Sequence, residues 1–312
     1  MNIENNHTMD MQDFILKHRI DKNKHCMRIP LFVHVEITTR CNVGCPQCYC
    51  SSIATGDDMD YLLYTSIIDE ISDLKIPSVL LTGGEPLLHS KLIKMIEYAV
   101  QKNIKVIIST SGYGLNEEIC KELSNSGVGE ICVSINGSNQ NIHSLSRGHF
   151  ASAVNALKLL TKHRINVRVN WVARQDNFMD FSNLVDLCMQ SNVNSITVLS
   201  NKKKNGIIIS PMNYENIIEL YETIQEQRKR INIEIDPCFI ELIRLTNQSV
   251  PLMICNAGLS FFDILVDGGM IPCRHANSSK CFFGEKSIKE YWRSEKLQHY
   301  RDNKQTIGRS CK

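Results

Sequence analysis

Three cysteines crowd one short stretch, Cys41-Asn-Val-Gly-Cys45-Pro-Gln-Cys48. Thiolates four and three residues apart can wrap one small metal centre from a single loop. A closed zinc site takes four protein ligands, whereas three leave a position open for chemistry. A four-iron cluster held by three cysteines likewise leaves one iron able to bind something else. Cys50 adds a fourth thiol by count, but its spacing after Cys48 is cramped and it reads as a bystander. A second motif is Leu80-Leu-Thr-Gly83-Gly84-Glu85-Pro86. Two glycines let a backbone approach a ligand closely. Glu85 and nearby carbonyls can accept hydrogen bonds from an ammonium group. Taken alone, the same four residues also read as a generic strand-to-helix turn.

The wider composition supports a metal reading of the cysteines. There are 13 of them in 312 residues, an odd number in a chain too long to need disulfide staples. In a reducing compartment, grouped cysteines more often hold a metal or an iron–sulfur cluster. Cys132 and Cys188 sit inside apolar patterns and read as small buried hydrophobes. Lys+Arg 35 against Asp+Glu 33 leaves a net charge of +2, which argues against a strongly basic nucleic-acid binder. No apolar run approaches the ~18–20 residues of a membrane helix. The polar N-terminal stretch carries no hydrophobic signal core. A cytoplasmic location, with no nucleic-acid or membrane partner, is the expectation.

The elements that must position these motifs follow a rhythm. Phe32 to Thr38 alternates and is rich in β-formers; Ser78 to Leu81, Ile104 to Ser109, Glu130 to Ile135, Asn166 to Val172 and Ser195 to Leu199 are similar. Stretches with helical spacing lie between them, such as Leu92, Ile93, Ile96, Ala99 and Val100. The alternation repeats about six times and predicts a parallel sheet covered by helices. That is too few units for a complete eight-fold barrel, so an open or partial barrel fits better. The expected organisation is an arm or short helix over 1–30, the barrel over 31–240 and an extension over 241–312. In the last part, Phe261 to Val266 and Met270-Ile271 flank Asp267-Gly268-Gly269 as a hairpin. Ser287 to Tyr300 reads as one helix, capped by Ser287 with Glu290 three residues on.

With both motifs placed at the ends of the first two strands, the sequence resembles the radical SAM superfamily. Its signature is a C-x3-C-x2-C loop after the first strand and a Gly-Gly-Glu-Pro motif ending the second. The resemblance covers roughly residues 31–200 and implies an α/β fold, a partial (β/α)6 barrel. It implies that Cys41, Cys45 and Cys48 hold a [4Fe-4S] cluster whose open iron binds S-adenosylmethionine. One electron then cleaves the sulfonium, and the 5′-deoxyadenosyl radical abstracts hydrogen from a substrate. Gly83, Gly84, Glu85 and Pro86 are the implied cofactor contacts. Gln47 departs from the aromatic or His residue that commonly precedes the last ligand. Looser matches are Thr110 at the third strand end, Ser134 and Asn136 at the fourth, then His143 and Arg147-Gly148. Asn136 stands where relatives that modify peptides commonly have Asp. The resemblance implies that Ser134 bonds the methionine carboxylate or the ribose and that Arg147 pairs with that carboxylate; a strand-end polar residue and a loop salt bridge are the plainer readings. Asn170 on the fifth strand either faces the site or is a buried amide.

The late cysteines carry a second resemblance. Cys255-x12-Gly268-x4-Cys273 is similar to the opening of the SPASM and twitch extensions, whose hairpin holds auxiliary iron–sulfur clusters. Cys311 stands where their next cysteine run begins, but the further cysteines of a full SPASM domain are missing, so the extension reads as truncated. One auxiliary cluster, on Cys255, Cys273 and Cys311 with Cys281 or Cys238 as fourth ligand, is the expectation; the plainer reading is a degenerate extension without a cluster.

Such extensions occur mostly in enzymes acting on peptides. The resemblance therefore implies an enzyme that crosslinks, epimerises or oxidises a ribosomally made peptide. Its partners would be that peptide, with a leader segment that the basic residues at 17–28 and Lys202–Lys204 could attract, and an electron donor such as flavodoxin or ferredoxin. A radical SAM enzyme acting on a small molecule or nucleotide in cofactor biosynthesis is the alternative. A non-catalytic metal or iron–sulfur binding protein is a third reading. The sequence names no catalytic acid or base.

Overall fold

The computed structural model describes residues 20–21, 26–46, 48, 50, 53–202, 208–246, 255–275 and 287–307. Its centre is a nine-stranded sheet. Seven strands follow in chain order: β1 (Phe32–Thr38), β2 (Ser78–Gly83), β3 (Lys105–Thr110), β4 (Glu130–Ser134), β5 (Val167–Val172), β6 (Ser195–Leu199) and β7 (Asn232–Ile235). Each pairs in parallel with the next. Helices connect them, including α1 (Tyr61–Asp73), α2 (Leu92–Gln101), α3 (Glu117–Asn125), α4 (Gln140–Ser144), α5 (Phe150–Lys162), α6 (Phe181–Gln190) and α7 (Tyr214–Gln227). The helices bury one stripe each. In α2 this is Leu92, Met95, Ile96 and Ala99, the spacing that keeps side chains on one face. The period-two pattern of β1 divides its side chains in the same way. Val33, Val35 and Ile37 join the helix-covered core, while Phe32 packs on a separate cluster around Cys255 and Phe261. Cys120, Cys132 and Cys188 are buried, and burial pushes their thiols up to about 11, 12 and 12.

The C-terminal hairpin does not stand apart from this sheet. Strand β8 (Phe261–Ile264) pairs in parallel with β1, in register Phe261↔Phe32 and Asp263↔His34. Strand β9 (Met270–Ile271) then pairs antiparallel with β8 on the outer edge. Gly268 takes the left-handed turn position, φ +84°, where a side chain would be strained. The predicted single helix from Ser287 is two helices, α8 (Ile288–Arg293) and α9 (Glu295–Ile307). The capping box of Ser287 and Glu290 is present. The break falls at Ser294, whose backbone is extended and whose hydroxyl accepts from Leu297 N at 3.2 Å, so it caps the second helix. Tyr291 and Trp292 cover Phe262 on the outside of β8.

The expected arm or short helix is replaced, where described, by a two-stranded antiparallel hairpin of Ile20–Asp21 and Cys26–Met27. Met27 ties it to the extension: its N–H bonds Leu259 O at 2.9 Å and its carbonyl accepts from Trp292 Nε1 at 2.8 Å. Among the described residues no helix is long and apolar enough to cross a membrane.

Candidate functional site

The C-terminal ends of the parallel strands gather both sequence motifs. The cysteine loop leaves β1 through Thr38, Thr39 and Arg40, and this root is fastened on several sides. Gly84 N bonds Thr38 O at 2.7 Å and Glu85 N bonds Arg40 O at 2.8 Å. A Cβ on Gly83 would run into the Thr38 carbonyl, and one on Gly84 into that of Arg40. The glycine pair therefore gives close approach to the root of the cysteine loop, where the sequence suggested close approach to a ligand. Gly83 in addition sits at φ +129°. The Arg40 guanidinium bonds both Asp58 oxygens, at 2.9 and 2.5 Å, and Leu88 O at 2.6 Å. Thr38 Oγ1 donates to Asp58 at 2.7 Å. Desolvation opposes ionisation of Asp58, but the hydrogen bonds from Arg40 and Thr38 hold its carboxyl below the usual range.

Within the loop, Cys41, Cys45 and Cys48 are all partly exposed. Cys41 N bonds Ile53 O at 2.9 Å, and Cys48 N bonds Cys45 O at 3.0 Å in a tight turn. Burial raises the Cys41 thiol; Val43 N–H, 3.5 Å from its sulfur, works the other way, and the charges of Glu85, Cys45 and Cys48 raise it further. Among the described residues no three His, Cys, Asp or Glu side chains converge as they would around one ion. Three neighbouring thiols on one loop, none buried, are a donor set of the kind an iron–sulfur cluster takes.

Glu85 behaves differently from the expectation that it would take an ammonium group. It is 1% exposed. Its carboxylate accepts from Thr110 Oγ1 at 2.5 Å, Ser111 N at 2.8 Å, Ser111 Oγ at 2.5 Å and Leu87 N at 3.2 Å. Four donors use up the four acceptor directions of a carboxylate. Burial nevertheless raises its pKa, against those hydrogen bonds. Glu85 thus staples the end of β3 to that of β2, and Thr110 is committed to the staple. Asn136 is likewise a brace. It is 1% exposed; its amide donates to Ser146 Oγ at 2.8 Å and accepts from Val172 N at 3.1 Å. Pro86 is buried at the first turn position after Glu85.

The loop after β4 is locked by His143. Asn136 N–H donates to its Nδ1 at 3.3 Å, and its Nε2 bonds Gly148 O at 3.1 Å, which fixes the neutral Nε2–H tautomer. Burial first, then the charges of Arg147 and His149, push this imidazole down to about 4, against the pull of the Gly148 carbonyl. Gly148 lies against the Val43 carbonyl, so Arg147 is carried beside the cysteine loop. Arg147 Nε is buried without a partner, and among the described residues the Ser134 hydroxyl makes no hydrogen bond. Of the looser predicted contacts, Arg147, Ser134 and the half-buried amide of Asn170 on β5 keep polar groups uncommitted among the described residues.

The late cysteines meet where the two edges of the sheet approach each other. Cys238 follows β7, while Cys255 precedes β8 and Cys273 follows β9 at the opposite edge. Cys238 and Cys273 pack on the cluster of Cys255, Ala257 and Phe261. A thiol–thiol hydrogen bond to Cys255 raises Cys238, with burial adding to it; burial pushes Cys273 up to about 12. Cys281 and Cys311 lie outside the described residues. Cys238, with no motif around it, was only a reserve ligand in the sequence reading. His34, Glu36, Asp263 and Arg274, which line the inside of the barrel beside β2, had no local signal beyond the polar alternation of β1.

Comparison with known proteins agrees with this geometry. Residues 35–188 match the Radical SAM superfamily. The AdoMet-dependent heme synthase of Methanosarcina barkeri is 22% identical over 309 residues, covering 90% of this chain and 87% of that protein. Streptococcus suis SuiB bound to S-adenosylmethionine has the same fold with TM-score 0.77 at 16% identity, over 89% of this chain and 69% of that one. SuiB has also been crystallised with its precursor peptide SuiA. The enzyme anSMEcpe with bound AdoMet matches with TM-score 0.68 at 17% identity, over 87% of this chain and 82% of that one, and a further structure holds the Cp18Cys peptide. With a thiol-bearing loop at the head of a mostly parallel, helix-covered sheet, this chain carries a Radical SAM superfamily domain.

Proposed function

We propose that the chain reductively cleaves S-adenosylmethionine and uses the resulting radical on a peptide. The observation that carries the first half is the cysteine loop, rooted by Gly83, Gly84, Arg40 and Asp58 at the strand ends. Cys41, Cys45 and Cys48 would hold a [4Fe-4S] cluster. When bound, that cluster supplies the electron that splits the sulfonium and so generates the hydrogen-abstracting radical. Ser134 and Arg147 would hold the methionine carboxylate. The buried Glu85 staple would keep the strand ends in place while backbone atoms of Gly83 and Gly84 face the amine. The fold likeness to SuiB and anSMEcpe, both crystallised with peptides, supports a peptide partner. An electron donor such as flavodoxin or ferredoxin, a leader segment on the substrate and a reducing cytoplasmic setting complete the reading.

An auxiliary cluster would sit on Cys255, Cys273 and Cys311, with Cys238, or else Cys281, as the fourth ligand. Three thiols drawn to one cluster of side chains support it, and loading would release their protons. Cys273→Ala should then lower iron by about four atoms per chain; unchanged iron would remove the auxiliary centre from the account.

A second reading has its own support. The heme synthase relative aligns over nearly the whole chain, which favours a small molecule of cofactor biosynthesis as substrate. An anaerobic assay with reduced protein, S-adenosylmethionine and the peptide encoded beside the gene separates the two. Loss of two hydrogens marks a crosslink or oxidation, and uptake of solvent deuterium without mass loss marks epimerisation. An unmodified peptide together with 5′-deoxyadenosine would move the substrate to the small-molecule class.

A further inference from the structure

The polar face of β1 points into the barrel, and there it meets the polar face of β8. The parallel register sets His34 directly opposite Asp263. His34 Nδ1 bonds Asp263 Oδ1 at 2.8 Å. The other oxygen of Asp263 accepts from Arg274 N at 2.7 Å, so the carboxylate cannot turn away. The imidazole is also fixed by packing, with the rings of Phe32 and Phe261 at 5.4 and 4.9 Å. With Nδ1–H donated to the carboxylate, Nε2 is left as the acceptor, and among the described residues it has no protein partner.

His34 lines a small cavity with Glu36, Cys50, Gly83, Asp263 and Arg274. The cavity thus lies between the cofactor-side end of β2 and the start of the segment after β9. Its other acceptors are engaged: Glu36 takes the Arg274 guanidinium and Val266 N, and Asp263 takes His34 and Arg274 N. Two carboxylates face one guanidinium here, so a proton arriving on His34 brings the group to neutrality. A base or acid is recognised by this arrangement, an unpartnered ring nitrogen on a half-buried imidazole, oriented through the other nitrogen by a carboxylate that is itself held.

We propose that His34 and Asp263 form an acid–base dyad that takes a proton from an O–H, N–H or S–H group of the substrate in the barrel mouth. The proposal rests on the radical SAM reading, which places a substrate there. The substrate X–H bond breaks as an N–H bond forms at Nε2, the electron pair stays on X, and Asp263 remains ionised against Nδ1–H. His34 is the catalytic residue; Asp263 positions it, and Arg274 positions Asp263. The titratable groups around the ring are Glu36 on its own strand, Asp263 on β8, Arg274 and His275 after β9, and Cys50 on the cysteine-loop side.

The test needs no known substrate for its first arm. Anaerobically reconstituted protein carrying 15N-histidine is titrated from about pH 5 to 9, with His34→Gln identifying the resonance. The dyad predicts the Nδ1–H tautomer in neutral His34 and reversible titration. In Asp263→Asn the carboxylate that selects the Nδ1–H form is gone, and the neutral ring no longer shows that tautomer alone. An Nε2–H tautomer at the resonance that His34→Gln, or His34→Asn should the first variant not fold, removes from the spectrum overturns the proposal. In the second arm, the ratio of modified peptide to 5′-deoxyadenosine falls about 100-fold in His34→Gln, and the product pH profile follows the His34 midpoint. A ratio equal to wild type overturns the dyad. Absence of 5′-deoxyadenosine from the wild-type protein instead overturns the radical SAM reading, and the titration still judges the dyad.

Discussion

Glu85 concentrates much of the residue-scale account in one side chain. Its four donors come from Leu87, Thr110 and Ser111. Truncation in Glu85→Ala would strand several of them in a dry site, at about 1–3 kcal/mol for each donor left unpaired. A loss of about 3 kcal/mol or more in denaturant unfolding is expected; a loss below about 1 kcal/mol would mean the staple is not structural. His143 makes the complementary point about pH. Its imidazole is neutral in the fold, down at about 4, against the ordinary 6.5 of an unfolded chain. The unfolded state therefore binds the extra proton between those values, so this contribution is complete above pH 6.5 and is lost as pH falls from 6.5 toward 4. Thermal melts should decline across that window, and His143→Gln, which keeps a donor and an acceptor, should flatten the decline. An unchanged acid limb in that variant would assign the loss to other groups, such as His275, which burial also lowers to about 4.

At the scale of elements, the glycine pair and the cysteine loop act as one unit. Adding a methyl at Gly84 pushes the Arg40 carbonyl, which is the root of the loop. Gly84→Ala should lower iron retained per chain although every cysteine remains, with the Arg40–Asp58 clamp strained rather than lost. Full iron in that variant would show that the loop is positioned by other contacts. The strands and helices themselves were legible from periodicity, because a parallel strand covered by helices reads as a short apolar run and its helices as 3.6-residue stripes. The break at Ser294 was not, since a serine inside a helical pattern is read as tolerated until its hydroxyl is seen capping the next turn.

The whole molecule is a sheet whose two edges come together over cysteines. Cys238 lies 17 positions before Cys255 in sequence, yet the two thiols share a hydrogen bond across the seam. Nothing in local sequence signals such a meeting, because it depends on how far the sheet curls. The same is true of His34 and Asp263, 229 residues apart and joined only when β8 adds to β1. The cysteine loop stands out in the sequence because its three thiols lie within eight residues of one another. Glu85 was misjudged because the partners that saturate it arrive from the next strand end. If the seam is metal-linked, Cys238→Ala should reduce iron and lower the melting temperature together; a fall in neither would leave Cys238 as a packing residue.

The central claim is that Cys41, Cys45 and Cys48 hold the centre that cleaves S-adenosylmethionine. Its most direct measurement is 5′-deoxyadenosine formed by anoxically reconstituted, reduced protein, wild type beside Cys45→Ala. The account predicts iron–sulfur absorbance near about 400 nm and 5′-deoxyadenosine in the wild type, with no 5′-deoxyadenosine in the variant. Turnover retained by Cys45→Ala, or none in an iron-loaded wild type, would contradict it.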